Sequence, residues 1–425
     1  MTSIEDIARR LDSAAAAVKF GGRTLLHLDT NPVPDDWTHI TKIDPEDEKQ
    51  LPLCYPLYLQ HTSAVEVGGS KDVTGNNTEE TLELTADKPV PAFQEPSGPS
   101  HVTDRTRDLA AFLAIPEVLN GDAEALVGQL GAGVEHIRDE IAPKMIAERL
   151  PIGLGETVED RLADFAATWM LEEAVFEAYI IMNPDSAAAR EANVTEDDML
   201  DPLAAKQRAL AAERHLESEL VYLEYSGTFG GEEAEAILES VSEGLAWSQL
   251  WYGGGLDDRE NARRMLDAGA DAIVVGNIFH EIAEEELAVA EDAVADLDFD
   301  ADRSTVEEWV EENVDVEGSC AASYLSTNVD VPSPTDRARR YLVTTVRTWL
   351  AVQRLLEELD ADPPSATGEI RRSLGDAAIP GRTPVTDAAD EDLLTDVLVG
   401  ILARRYGVEY DGLPVEHVSF ELSEL

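Results

Sequence analysis

Short runs rich in apolar and β-branched residues alternate with stretches of helical spacing from about residue 37 to residue 290. The runs are HITKID (39–44), SAVEVGG (63–69), PVPAF (89–93), AFLAIPEVL (111–119), AYIIMN (178–183), LVYLEYS (220–226), SQLWYGG (248–254) and DAIVVGN (271–277). Near-continuous apolar strands separated by helices belong to a parallel sheet covered on both faces. Eight of them in roughly 250 residues predict an α/β fold, a closed (β/α)₈ TIM-like barrel. A doubly wound open sheet is the main rival, and its usual early glycine-rich fingerprint is missing.

Three segments lie outside this plan. Residues 1–36 form an N-terminal extension, a polar amphipathic helix (MTSIEDIARRLDSAAAAVKF) without the apolar core of a signal peptide. Residues 121–177 are long for one barrel connection and predict an insertion of two or three helices after strand four. Residues 297–425 form an acidic, mostly helical C-terminal extension, with helices expected near 334–360 and 390–406. The barrel itself is assigned to 37–296. The tail reads as a small helical appendage, and no chemistry is evident in it.

Composition adds an environment. Hydrophobic residues make up 44% of the 425, enough for a full core, which excludes disorder despite a net charge of −55. The acid is spread along the chain, and Lys is scarce, seven against 25 Arg, with none after Lys206. This is the pattern of a halophilic protein kept soluble in high salt by surface carboxylates. It also argues against nucleic acid, which needs clustered Lys and Arg. Cys54 and Cys320 form no metal or redox motif. No run of 18 or more apolar residues is present, so a cytoplasmic protein is expected.

In a barrel, chemistry sits at the C-terminal ends of the strands. Strand seven ends in Gly253-Gly254-Gly255 and strand eight in Gly276-Asn277. Glycines there let backbone N–H groups approach an anion, and the next helix adds its dipole. Strand six ends in Tyr222-Leu223-Glu224-Tyr225-Ser226-Gly227. Alternation sends Tyr222, Glu224 and Ser226 to one side. A carboxylate facing the barrel axis needs either a partner or a task. Glu224 suits a general base, with Tyr222 and Ser226 as donors to ligand oxygens; a satisfied internal carboxylate is the plain alternative. Lys42 and Asp44 share a face of strand one, and Ser70 follows strand two. Asp44 and Ser70 offer hard oxygens suited to Mg²⁺, which takes few protein ligands, and Lys42 answers phosphate charge. The eight histidines show no paired metal spacing and read as structural or surface residues. Gln94 to Pro99 reads as a turn or as a loop lining a substrate groove.

Together these segments resemble the geranylgeranylglyceryl phosphate synthase family, including its bacterial heptaprenylglyceryl phosphate relatives. The matching stretches are DWTHITKIDP, SAVEVGGSKDVT, FQEPSGP, IPEVLN, AYIIMNPDSAAA, VYLEYSGTFG, LWYGGGLDDRENARRM and GADAIVVGNIFHE, all within residues 36–290. The EPS turn and the acidity are most similar to the haloarchaeal branch. The resemblance implies a Mg²⁺-dependent prenyltransferase that joins a long prenyl diphosphate to the C3 hydroxyl of sn-glycerol 1-phosphate, the first step of ether-lipid synthesis. It implies that Lys42, Tyr222, Leu223, Glu224, Tyr225, Ser226, Gly227, Gly255, Gly276 and Asn277 hold glycerol 1-phosphate. Glu224, with Tyr222, would be catalytic, and Asp44 and Ser70 would hold the metal. The family often assembles into dimers or larger rings. The chain departs from the family pattern after strand four, where Glu124 to Leu130 lacks the usual Trp and His. For the tail, oligomer contact, membrane-surface docking and salt adaptation stay open. The rival functions are another phosphate-binding barrel, such as an isomerase or aldolase, and an inactive barrel serving as a scaffold.

Overall fold

The computed structural model describes residues 31–46, 48–69, 71–86, 90–149, 156–172, 174–376 and 388–420. The expected N-terminal helix lies outside these residues. Eight strands are present: β1 His39–Ile43, β2 Ala64–Val67, β3 Ala92–Gln94, β4 Ala114–Val118, β5 Val175–Ile181, β6 Leu220–Glu224, β7 Gln249–Gly253 and β8 Ala272–Val275. They form one sheet in the order β3-β2-β1-β8-β7-β6-β5-β4, and every pairing is parallel. The two edges meet through a parallel bridge, Gln94 to Leu113. There the Gln94 N–H donates to the Phe112 carbonyl at 3.2 Å and the Ala111 N–H to the Ala92 carbonyl at 2.7 Å. That seam closes the sheet into the expected (β/α)₈ barrel. β5 starts three residues before its expected position of 178.

Two ends of the barrel interior differ in chemistry. Toward the strand N-termini, Trp37, Phe93, Phe112 and Trp251 pack as an aromatic plug, with Phe93 and Phe112 stacked at 4.8 Å and Trp251 tilted against Phe93 at 5.9 Å. Toward the C-termini the interior turns polar, and this is where a cavity opens. Between β4 and β5 the chain runs helically through Glu124–Arg149, with π-helical turns at Glu124–Gly128 and Ile137–Ile141, and again over Glu156–Glu172.

The connection from β1 to β2 carries only the five-residue helix Tyr55–Leu59. The outer face that it leaves bare is covered by the tail. The helix Cys320–Thr327 lies against β1: Tyr324 OH is 2.8 Å from Thr41 Oγ1, and Thr327 Oγ1 is 2.9 Å from His39 Nε2. The long helix Pro334–Ala361 packs on Asn277–Asp296, the helix that follows β8. Arg303–Asn313, Thr367–Asp376 and Ala388–Tyr406 complete the layer, and Leu51 bridges in parallel to Val418 near the chain's end. The tail therefore shares one continuous core with the barrel instead of standing apart as an appendage. No helix among the described residues is long and apolar enough to cross a membrane.

Glu286, fully buried on Asn277–Asp296, ties these parts together. Its carboxylate accepts from the Cys54 N–H (3.1 Å), Tyr58 OH (3.1 Å) and Thr345 Oγ1 of the tail (2.9 Å). Burial, only partly offset by those donors, pushes its pKa from 4.5 up to about 7. The folded chain thus keeps a proton that the unfolded chain releases. The stabilisation is complete below pH 4.5 and is lost as the pH rises through 7, a swing on the order of 3 kcal/mol. Glu286→Gln is expected to flatten this part of the stability curve, as read by urea unfolding at pH 5 and pH 8 in constant high salt.

Candidate active site

A cavity of about 880 Å³ opens at the C-terminal mouth of the barrel. Lys42 and Asp44 enter it from β1, Tyr222, Glu224, Ser226 and Gly227 from β6, Gly253 to Gly255 from β7, and Gly276 and Asn277 from β8. Asp44 therefore stands at the same opening as the two glycine loops and Glu224. Ser70 lies outside the described residues. The side chains of Leu223 and Tyr225 point the other way, into the outer layer, where Tyr225 packs against Tyr252 at 5.9 Å. Neither lines the cavity.

Local sequence dictates the shape of the mouth. A Cβ on Gly253 would come 2.0 Å from Tyr222 OH, so β7 must end in glycine for the tyrosine to lie across the barrel. Gly255 has φ +48°, and its Cβ would meet the Phe229 nitrogen at 2.5 Å. Only glycine allows so close a backbone approach in that conformation. Gly276 leads directly into the 20-residue helix Asn277–Asp296, whose first N–H groups face the mouth.

Below the mouth, one ammonium meets several carboxyl groups. Lys42 Nζ is 2.6 Å from Glu66 Oε1 and pairs closely with Glu95, whose other oxygen accepts from Tyr179 OH at 2.6 Å. Burial opposes charge on Lys42, but Glu66, Glu95, Glu224 and Asp44 outweigh it and hold the ammonium well above its ordinary pKa. Burial likewise opposes ionisation of Glu95, yet Lys42, Glu66 and Tyr179 bring it down to about 2. Burial and the Glu95 charge push Glu66 and Glu177 well up, although Lys42 pulls both the other way. No hydrogen bond reaches either oxygen of Glu177. The interior thus sets one ammonium, Lys42, between Glu66 and Glu95, with burial disfavouring ionisation of Glu66 and Glu177 around it. Glu224, 4% exposed, accepts the Ser226 N–H at 3.0 Å, and burial raises its pKa against the opposing pull of Lys42 and Ser226.

Asp44 is held from behind. Its N–H donates to His280 Nε2 at 3.1 Å, and His280 Nδ1 lies 3.1 Å from the Gln50 carbonyl. Burial keeps this imidazole neutral by lowering its pKa to about 4, against the opposing pull of Asp44 and Gln50. In front, Lys49 Nζ is 3.6 Å from Asp44 Oδ2 and donates to Asn277 Oδ1 at 3.0 Å. Among the described residues, no group of three or more His, Cys, Asp or Glu is arranged to hold a metal. Asp44 offers a hard carboxylate oxygen at the cavity wall, of the kind a Mg²⁺ ion takes.

Sequence reasoning missed Glu66, Glu95, Glu177, Tyr179 and Lys49. Two of these carried a readable signal: a glutamate stands alone within the strand runs SAVEV and FEAYII. Glu95 fell in a segment read as a turn or groove loop, and it does line the cavity. A second, apolar cavity of about 80 Å³ adjoins the first and shares Pro96, Pro116 and Gln129 with it. Leu130, Gly133 and Ile137 from the insertion and Met170 from Glu156–Glu172 wall it.

Comparison with known proteins finds relatives of this chain. The PcrB family matches residues 34–294. The geranylgeranylglyceryl phosphate synthase of Halobacterium salinarum is 35% identical over 248 residues, 58% of this chain and 89% of that protein. The enzyme of the same name from Haloquadratum walsbyi is 31% identical over 266 residues, 61% of this chain and 96% of its own. Among solved structures, (S)-3-O-geranylgeranylglyceryl phosphate synthase from Thermoplasma acidophilum, in complex with its substrate sn-glycerol-1-phosphate, is similar at 23% identity and a TM-score of 0.42, covering 57% of this chain and 86% of that one. The matched region ends before the tail begins. The chain belongs to the PcrB family.

Proposed function

We propose that this protein is a phosphoglycerol geranylgeranyltransferase, forming an ether bond between the C3 hydroxyl of sn-glycerol 1-phosphate and C1 of a long prenyl diphosphate. One observation carries the reading. A polar mouth with glycine loops, a buried carboxyl group and Asp44 adjoins an apolar cavity walled by the insertion. One substrate end needs anion donors, the other only apolar walls. The names of the family relatives support the same reaction.

In this reading Gly255, Gly276, Asn277 and the Tyr222–Gly227 segment receive glycerol 1-phosphate, with Leu223 and Tyr225 contributing backbone. Glu224 takes the proton of the C3 hydroxyl as its oxygen attacks C1, and the bond from C1 to the diphosphate oxygen breaks. The products are the ether and free diphosphate. Asp44 and Ser70 would hold Mg²⁺, which when bound neutralises charge on the departing diphosphate. The prenyl tail lies toward Gly133 and Met170. Phe165 and Trp169, 68% and 42% exposed on Glu156–Glu172, support a contact with the membrane surface that such a donor partitions into. A Schiff-base aldolase is disfavoured, because Lys42 is held protonated by Glu66 and Glu95. The charge of −55 supports a cytoplasm of high salt.

Incubation with geranylgeranyl diphosphate and labelled glycerol 1-phosphate is expected to give a labelled lipid that disappears with EDTA. No lipid in either condition rules the function out. Glu224→Gln should lower kcat by about 10²-fold or more while the KM for glycerol 1-phosphate stays within about threefold; an unchanged kcat rejects Glu224 as the base. Gly133 has open space around its Cα. Gly133→Phe should therefore fill the apolar cavity and depress turnover of a C20 donor much more than of a C10 donor. Equal losses on both would remove the cavity as the tail site.

A further inference from the structure

Lysine is rare in this chain, yet three of its seven, Lys42, Lys49 and Lys71, line the one mouth cavity. Their charges are not equally available. Lys42 sits beneath the mouth between Glu66 and Glu95, so an anion above it meets an ion pair rather than a free cation. Lys71 is 61% exposed, and its ammonium lies 3.0 Å from Glu48 and 3.8 Å from Asp72. Water and those carboxylates screen it. Lys49 differs from both. Its side chain is 32% exposed, and its ammonium reaches across the mouth, donating to Asn277 Oδ1 at 3.0 Å. The only carboxylate paired with it among the described residues is Asp44, at 3.6 Å.

Asn277 opens the helix Asn277–Asp296 directly after Gly276. The ammonium of Lys49 is thus anchored at the end of the barrel where helix N–H groups face the mouth. A phosphomonoester dianion there would meet those N–H groups and a cation whose single carboxylate pair among the described residues, with Asp44, is long at 3.6 Å. Placing that cation on a residue outside the strands leaves Lys42 free to balance the buried carboxyl groups.

We propose that Lys49 supplies a main cationic contact to the phosphate of the glycerol 1-phosphate substrate. The inference rests on the prenyltransferase reading and assigns a residue within it. Lys49 binds the acceptor in ground and transition state alike, so its loss acts on affinity rather than on turnover.

The test uses the full chain in constant high salt, with calorimetric titration of glycerol 1-phosphate and steady-state kinetics for both substrates. Lys49→Gln is expected to raise the Kd and KM for glycerol 1-phosphate about tenfold, as loss of a hydrogen bond to a charged group does. Its kcat and its KM for the prenyl diphosphate should stay within about twofold. Lys49→Arg, which keeps the charge, should recover most of the affinity. Lys144→Gln, an equal charge change on the insertion away from the mouth, should leave both constants unchanged. Wild-type affinity in Lys49→Gln, or an increase confined to the prenyl diphosphate KM, overturns the assignment. An equal loss in Lys144→Gln also overturns it, because long-range charge would then be the cause. A wild-type chain that binds no glycerol 1-phosphate defeats the prenyltransferase reading itself, and Lys49 with it.

Discussion

An ammonium and several carboxyl groups share the middle of this barrel, and the active-site mouth is built on how their charges resolve. Leaving a charge unpaired in such a place costs several kcal/mol. Lys42 is held by Glu66 and Glu95, Glu95 by Tyr179, and the remaining carboxyl groups are driven toward their neutral forms. Tyr179 in turn stacks on Tyr222 at 4.6 Å, and Tyr222 occupies the space above Gly253. The floor of the cavity is thereby set by one chain of contacts running from β1 through β3 and β5 to β6 and β7. Glu224 stands at its upper edge, near enough to feel Lys42, yet with burial still dominating. That combination suits a group that must accept a proton and then give it up.

The same logic of satisfied burial explains the tail. β1 lacks a full crossover helix on its outer face, because its connection to β2 has only Tyr55–Leu59. An exposed flank of a parallel sheet is unfavourable, and the tail helices close it. Glu286 is the polar pin in that layer, joining the β1–β2 connection, the helix after β8 and Pro334–Ala361. The tail is therefore structural for the barrel, while it lies beyond the region shared with the family. His280, one helical turn from Asn277, links this layer back to the mouth through Asp44.

The mouth and the apolar cavity differ in chemistry, and they draw on different parts of the chain. Backbone donors, glycines and a buried carboxyl group occupy strand ends, where geometry is rigid. The apolar walls come from β4 and the segment before it together with the long β4–β5 connection, whose two π-helical turns shift its side chains relative to an ordinary helix.

The sequence by itself determined the eight parallel strands, because buried strands are written as continuous apolar runs, and it located Lys42, Asp44, Glu224, Gly255, Gly276 and Asn277 at their ends. Period-two alternation placed Tyr222, Glu224 and Ser226 inside, and it equally implied that Leu223 and Tyr225 face outward. What it could not disclose were contacts between residues distant along the chain. The partnership of Lys42 with Glu66 and Glu95, the reach of Lys49 to Asn277 and the seating of the tail on β1 join positions 24 to 288 residues apart. Local periodicity reports which face a side chain takes. Which opposite charge or bare surface it then meets is decided only when the barrel closes.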